Sequence, residues 1–262
     1  MSWAAQRRFF ILLIIGAIVA AFLAVVFVAA LYKTPSCADG VTNQEENGVD
    51  CGGPCKYLCT ALQQQPTVLF TKVLDNGAGR TDVIALVENK NTDAAAKNVP
   101  YSITLYGADQ VFIQKIDGSF DLPPGATEPI YVPGVDAQAG EQKVVSAFLD
   151  IAASAPKWFA MATGQYSAPT VVSTTQTGTE TAPRIEAILE NSSGYPLTNV
   201  RAIVLVYDTY RNVIAASATV VPRIPAQGQS TALFTWTGSF AGVPSAIEVV
   251  PIIPLPVQTG LP

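Results

Sequence analysis

A chain of 262 residues has room for one large domain or two ordinary ones, each able to bury its own core. With a formal charge of −5 and no basic run, it excludes a nucleic-acid binder and a protein that docks on an anionic lipid surface. It holds no histidine, which removes Ser/His and Cys/His constellations, imidazole metal sites and the commonest general base. The 49% hydrophobic content is concentrated at the amino-terminal end, so the remainder of the chain is of ordinary polarity.

Residues 1–8 read as a short cytoplasmic segment and residues 9–32 as a transmembrane helix. Phe9 to Tyr32 is uncharged, and as a helix it reaches roughly 36 Å, more than the about 30 Å of a bilayer's hydrocarbon core. A cleaved signal peptide is the competing reading, with Val28-Ala29-Ala30 as a small-residue cleavage pattern. The apolar run exceeds the about 7 to 15 residues of a signal h-region, so an uncleaved anchor is expected. Arg7 and Arg8 precede the span with no acid nearby, whereas Asp39, Glu45, Glu46 and Asp50 follow Lys33. That asymmetry places the N-terminus inside the cytoplasmic membrane and the bulk outside. Trp3, Phe9, Phe10 and Tyr32 would sit near the two interfaces. Gly16, Ala20 and Ala24 recur every fourth residue, which leaves a helix-mediated dimer open beside the plain reading of small residues common in spans. With Arg7, Arg8 and Lys33 set aside from the 15 basic residues, 12 face all 20 acids, a net of about −8 for the exterior part.

Residues 33–63 read as a cysteine-rich knot. Cys37, Cys51, Cys55 and Cys59 are spaced C-x13-C-x3-C-x3-C, an even count in an oxidising compartment, so two disulfides are expected. A four-thiolate zinc site would show paired C-x2-C knuckles and a redox centre would show C-x-x-C, and neither is present. Three pairings are open, of which Cys37 with Cys55 and Cys51 with Cys59 is favoured. No lipobox precedes Cys37. The intervening side chains offer hard oxygens, so calcium at Asp39, Asn43, Glu46 and Asp50 stands as the alternative to solvated turn residues, although they do not match D-x-[DN]-x-[DN]-G. No other cofactor is expected. The run "CADGVTNQEENGVDCGGPC" from Cys37 to Cys55 resembles a short cysteine motif of uncharacterised, membrane-anchored bacterial surface proteins. Its ending, Cys55-x3-Cys59, is one residue longer than the usual C-x2-C. The resemblance implies a location and no activity.

Beyond the knot the chain repeats itself. "PTVLFTKVLDNGAGRTDVIALVENKN" from Pro66 and "PTVVSTTQTGTETAPRIEAILENSS" from Pro169 share Pro-Thr-Val, a turn, an apolar run and Glu-Asn. Asn98-Val99 answers Asn199-Val200, Tyr106 answers Tyr207, and Ser146-Ala147 answers Ser245-Ala246. We read two copies of one domain at 64–153 and 169–262, joined by a connector at 154–168. Runs such as "DVIALVEN", "YSITLYG", "AIVLVYD" and "TALFTW", broken by Gly/Pro/Asn turns, give six or seven strands per copy and no helix. The expected fold class is therefore mainly β: behind the helix and knot, two tandem immunoglobulin-like β-sandwiches. "AIVLVY" is continuously apolar and reads as a central strand. The hairpin around "VYDTYRNVIAA" resembles the FxLYD and LEA14-like group of extracellular β-sandwich domains, matched at Val206-Tyr207-Asp208. The first copy has Leu105-Tyr106-Gly107 and lacks the Asp. This resemblance implies a fold and transfers no site.

No nucleophile elbow, phosphate loop or dinucleotide fingerprint appears, and Ser154-Ala155-Pro156-Lys157 fits S-x-x-K without its companion motifs, so an enzyme is not expected. Asn191-Ser192-Ser193 matches the glycosylation triplet in a segment where Asn and Ser are also good turn formers. Trp158, Phe159, Met161 and Tyr166 are expected either to seal one domain against the next, holding the pair as a semi-rigid rod, or to form a partner-binding patch. The resulting expectation is an anchored exterior protein that binds a protein or envelope component or serves as structure. A ligand-sensing or transport-associated ectodomain is the alternative.

Overall fold

The computed structural model describes residues 3–31, 36–43, 45–77, 79–135, 142–162 and 165–256. The chain divides into two compact units, residues 1–56 with 260–262, and residues 57–259.

In the first unit, helix α1 spans Trp3–Leu31. Its apolar side chains cover every side of the cylinder and stand exposed, the pattern of a helix whose surroundings are themselves apolar. Gln6–Ala29 is long and apolar enough to cross a membrane. Tyr32, the expected end of the span, lies outside the described residues. Cys37 and Cys55 form a disulfide with their Cα atoms 5.6 Å apart. Cys51 and Cys59 are disulfide-bonded as well.

The second unit is built of two β-sandwiches. In the first, β1 (Thr67–Asp75), β2 (Thr81–Glu88) and β5 (Thr127–Val132) form one antiparallel sheet in the order β1-β2-β5. Facing it are β3 (Ala94–Tyr106), β4 (Phe112–Leu122) and β6 (Ser146–Asp150) in the order β4-β3-β6. The second sandwich uses β8 (Thr170–Thr179), β9 (Ala182–Asn191) and β12 (Gly228–Thr235) in the order β12-β9-β8. Against these lie β10 (Leu197–Tyr207), β11 (Val213–Ile224) and β13 (Ala246–Ile252) in the order β11-β10-β13. The strand pairing of residues 67–150 thus recurs, element for element, over residues 170–252.

Each sandwich has its own core. Val83, Ala85, Val87, Ile103, Leu105, Leu122 and Ile130 close the first; Ile185, Leu189, Val200, Val204, Ile224 and Phe234 close the second. These are alternate residues of their strands, as the period of two requires. Two boundaries differ from the sequence reading. Trp158–Ala160, expected in the connector, forms a further strand, β7, paired with Ala94–Ala96, because the Trp158 ring fills the first core. Leu58, expected in the knot, packs against that same core, and its N–H bonds the Trp158 carbonyl at 2.8 Å.

Equivalent turns are set by equivalent residues. Asn89 and Asn191, both buried, each use Nδ2 to bond two backbone carbonyls: Ala94 and Pro123 for the first, Tyr195 and Pro225 for the second. Asn98 and Asn199 both adopt the left-handed region with φ of 52°, which Asn tolerates better than most residues. Asp208 accepts the Tyr210 and Asn212 amides at 2.8 Å and so shapes the β10–β11 turn. At the matching position Gly107 leaves the turn to Asp109 and Gln110, both with positive φ.

The sandwiches meet through sheet faces rather than through the connector alone. Phe70 and Leu74 of β1, Ile84 and Leu86 of β2 and Tyr131 of β5 pack on Ile203, Leu205 and Tyr207 of β10 with Val213 and Ala216 of β11. Strands β2 and β10 are therefore buried on both sides, which explains the uninterrupted apolar runs "VIALV" and "AIVLVY". Packing of the connector residues Phe159 and Met161 is thus joined by this shared layer of side chains.

Candidate functional site

Where the first sandwich meets the second, a cleft of about 280 Å³ is lined by Tyr101 of β3, Phe120 and Asp121 of β4, Glu128 of β5, Arg201 of β10 and the segment Ile252–Pro254. Glu128 alternates with Ile130, a core residue, so strand geometry turns its carboxyl inward. It is only 5% exposed and accepts no hydrogen bond among the described residues. Burial, reinforced by the negative charge of Asp121, pushes its pKa up to about 8. At neutral pH this carboxyl is therefore protonated.

The surrounding groups are fixed by other bonds. Asp121 accepts the Asn98 amide on Oδ1 and the Leu255 amide on Oδ2, each at 2.8 Å. Lys97 donates to the Leu255 carbonyl. The Tyr166 hydroxyl lies 3.2 Å from the Ile253 carbonyl, and burial followed by the charge of Glu128 raises its pKa well above the usual phenol value. The Tyr101 and Phe120 rings meet edge to face, with centroids 6.0 Å apart. Gly118, opposite Tyr101 in the ladder, makes room for that ring, since a Cβ there would stand 2.4 Å from it. Arg201 donates to the Tyr131 carbonyl at 3.2 Å. A guanidinium carries five donors, so others remain for a ligand.

A second polar cluster lies in the sheet-to-sheet interface. Asp82, fully buried, accepts from Arg80 at 2.9 and 2.8 Å, from the Gly134 amide at 2.8 Å, and from Asn76 and the Tyr131 hydroxyl. Burial opposes its charge, but these donors hold its pKa below the usual carboxylate range. Asn76 also reaches across to the Ala216 carbonyl at 3.0 Å. With every oxygen of Asp82 engaged, this cluster reads as a positioning device between sandwiches.

The residues singled out from sequence fall in three places. Trp158, expected at a domain junction or partner surface, instead belongs to the interior of the first sandwich. Phe159 and Met161, each 2% exposed, pack with Ala95, Leu255 and Tyr166, so the connector is clamped between β3 and the segment after β13. In the knot, Asp50 accepts the Asp39 and Gly40 amides, Asp39 those of Ser36 and Val41 together with Asn43 Nδ2, and Glu46 the Asn43 and Asp50 amides. The proposed calcium ligands thus staple the loop's own backbone. Cys37, Glu46 and Cys55 crowd within 4.8 Å, but the two sulfurs are bonded to each other and are not thiolates. Gly53 is required there, because a Cβ would fall 2.3 Å from the Glu45 carbonyl oxygen. Asn191 is 2% exposed with its amide committed, so in the folded protein the glycosylation triplet works as a turn.

Glu128, Arg201 and the Tyr101/Phe120 pair were not singled out from sequence. A signal was available for the first: in "TEPIYV" the acid shares parity with Ile130 and Val132.

No protein-family model matches this chain, and no curated protein does. Among solved structures, a transglutaminase of red sea bream is similar at 13% identity over 72% of this chain and 29% of its own, with a TM-score of 0.24. A family 2 β-glucuronidase is similar at 11% identity over 81% of this chain and 26% of its own, also at 0.24. The chain spans less than a third of either, and likeness at this level carries no argument about fold or activity.

Proposed function

We propose that the protein is a single-pass, membrane-anchored, extracytoplasmic binding or structural protein, such as an envelope scaffold, an adhesin-like stalk or an accessory subunit of a surface apparatus. The observation that carries this reading is the pairing of one fully lipid-compatible helix, Gln6–Ala29, with four cysteines that are all oxidised. Arg7 and Arg8 ahead of the helix support an N-terminus inside. The recurrence of strand order, of the buried Asn89/Asn191 pair and of the Asn98/Asn199 conformation supports two copies of one domain. Protease added to intact, wall-stripped cells is expected to remove the bulk of the protein and leave only an amino-terminal stub in the membrane fraction. A mature N-terminus at Leu31 would replace this reading with secretion.

The cleft between the sandwiches favours a second reading, a ligand-sensing or transport-associated ectodomain. A buried carboxyl without a hydrogen-bond partner among the described residues, in the lining of a concave site, is the feature a simple spacer does not need.

A further inference from the structure

We propose that this cleft binds a small zwitterion of amino-acid size, its ammonium group held by Glu128 and the Tyr101 and Phe120 rings and its carboxylate by Arg201. This rests on the second reading above and is independent of the membrane anchor.

The cleft gathers groups of opposite character from facing sheets: Glu128 of β5, buried and without a hydrogen-bond partner among the described residues, and the Tyr101 and Phe120 rings of β3 and β4. A buried carboxyl without a partner is costly, and the group that relieves it best is a cationic donor. Aromatic faces attract the same ammonium group by their quadrupoles. Asp121, near the end of β4 in the facing sheet, adds negative potential without being available itself, since both its oxygens are held by backbone amides. Arg201 of β10, from the second sandwich, is exposed, and among the described residues it bonds the Tyr131 carbonyl, which leaves donors to take a carboxylate. At about 280 Å³ the space lies at the lower end of small-molecule sites, which limits the occupant to a few heavy atoms beyond its two charged groups.

Proton linkage follows from the groups that face Glu128: Asp121 from β4, Tyr166 from the connector, Tyr101 from β3 and Arg201 from β10. With its pKa near 8 when the site is empty, Glu128 ionises when an ammonium group arrives, so binding at pH 7 releases a proton. Affinity should accordingly rise with pH up to about 8 and then level off.

The test is calorimetric titration of the full-length protein in detergent micelles with unbranched ω-amino acids from glycine to 6-aminohexanoate. Butylamine and butyrate serve as single-charge controls. One or more chain lengths should bind with Kd at or below about 1 mM. Each control should be weaker by about tenfold. Heats in buffers of different ionisation enthalpy should show proton release at pH 7. Glu128→Gln, close in shape and uncharged, should lose about tenfold and the proton release, and Arg201→Gln should bring the amino acid down to the level of butylamine. The proposal is overturned if no chain length binds, if butyrate binds as tightly as the amino acids, or if the wild type binds without releasing a proton. Because cell-surface proteolysis reads the anchor and titration reads the cleft, failure of one is distinguishable from failure of the other.

Discussion

Glu128 is a carboxyl placed where a core residue belongs, and its energetics follow from that position. Its pKa of about 8 in the folded chain lies above the ordinary 4.5, so the folded state binds more protons between those values. Stability therefore falls as pH rises from about 4.5 to 8, by up to about 1.4 kcal/mol per unit, and the loss is complete above the upper limit. Glu128→Gln should flatten this slope and give the more stable protein at pH 8, as read from urea midpoints across the pH range. An unchanged slope in the variant would show that Glu128 is solvated in the native state. Sequence parity marked the side chain as inward, but nothing local could show that the apolar segment after β13 would close over the same end of the sandwich. That contact joins residues 134 apart, Asp121 and Leu255, and distant contacts leave no trace in a local pattern.

At the level of the element, the buried asparagines explain why Glu-Asn recurs in both halves. Asn89 directly follows β2 and Asn191 ends β9, and their side-chain amides tie down the turn that follows and a second turn 34 residues on. Replacing Asn89 by Ala would leave two buried carbonyls without donors, at about 1–3 kcal/mol for the pair, and Asn191→Ala, whose two carbonyls are only part-buried, should cost less. Chemical denaturation of the two single variants would check it, and a larger loss in Asn191→Ala would mean that burial of the carbonyls does not set the cost. The strands themselves were legible because alternation and turn residues are local properties, and "YSITLYG" and "TALFTW" correspond to parts of β3 and β12. Strand β7 was not legible, because three residues carry too little periodicity and its pairing is decided by burial of Trp158.

For the whole molecule, the two halves differ where one must cover the other. Ile84 of β2 corresponds to Glu186 of β9, and Ile203 and Leu205 of β10 correspond to Ser102 and Thr104 of β3, by the repeat register. The covered faces carry the apolar member of each pair and the free faces the polar one. On the free face Arg184 and Glu186 even form an ion pair at 3.0 Å. Ile84→Glu or Leu205→Thr should loosen the contact by about 2–4 kcal/mol and split one calorimetric transition into two. A single transition with unchanged midpoint would show that the layer contributes little to cohesion. Comparing the repeats position by position contained this information, since "AIVLVY" already stood out as apolar on both sides. Which face it would meet was not contained there, because complementarity is a property of two surfaces together. The shared layer also sets an order of events during biosynthesis. Once β5 has been made, the first sandwich presents Phe70, Ile84 and Tyr131 to water until β10 and β11 emerge, and at about 5 to 20 residues per second that interval lasts several seconds. For that time the nascent chain carries an uncovered oily sheet, so the first sandwich is most prone to wrong association before its partner face has been made.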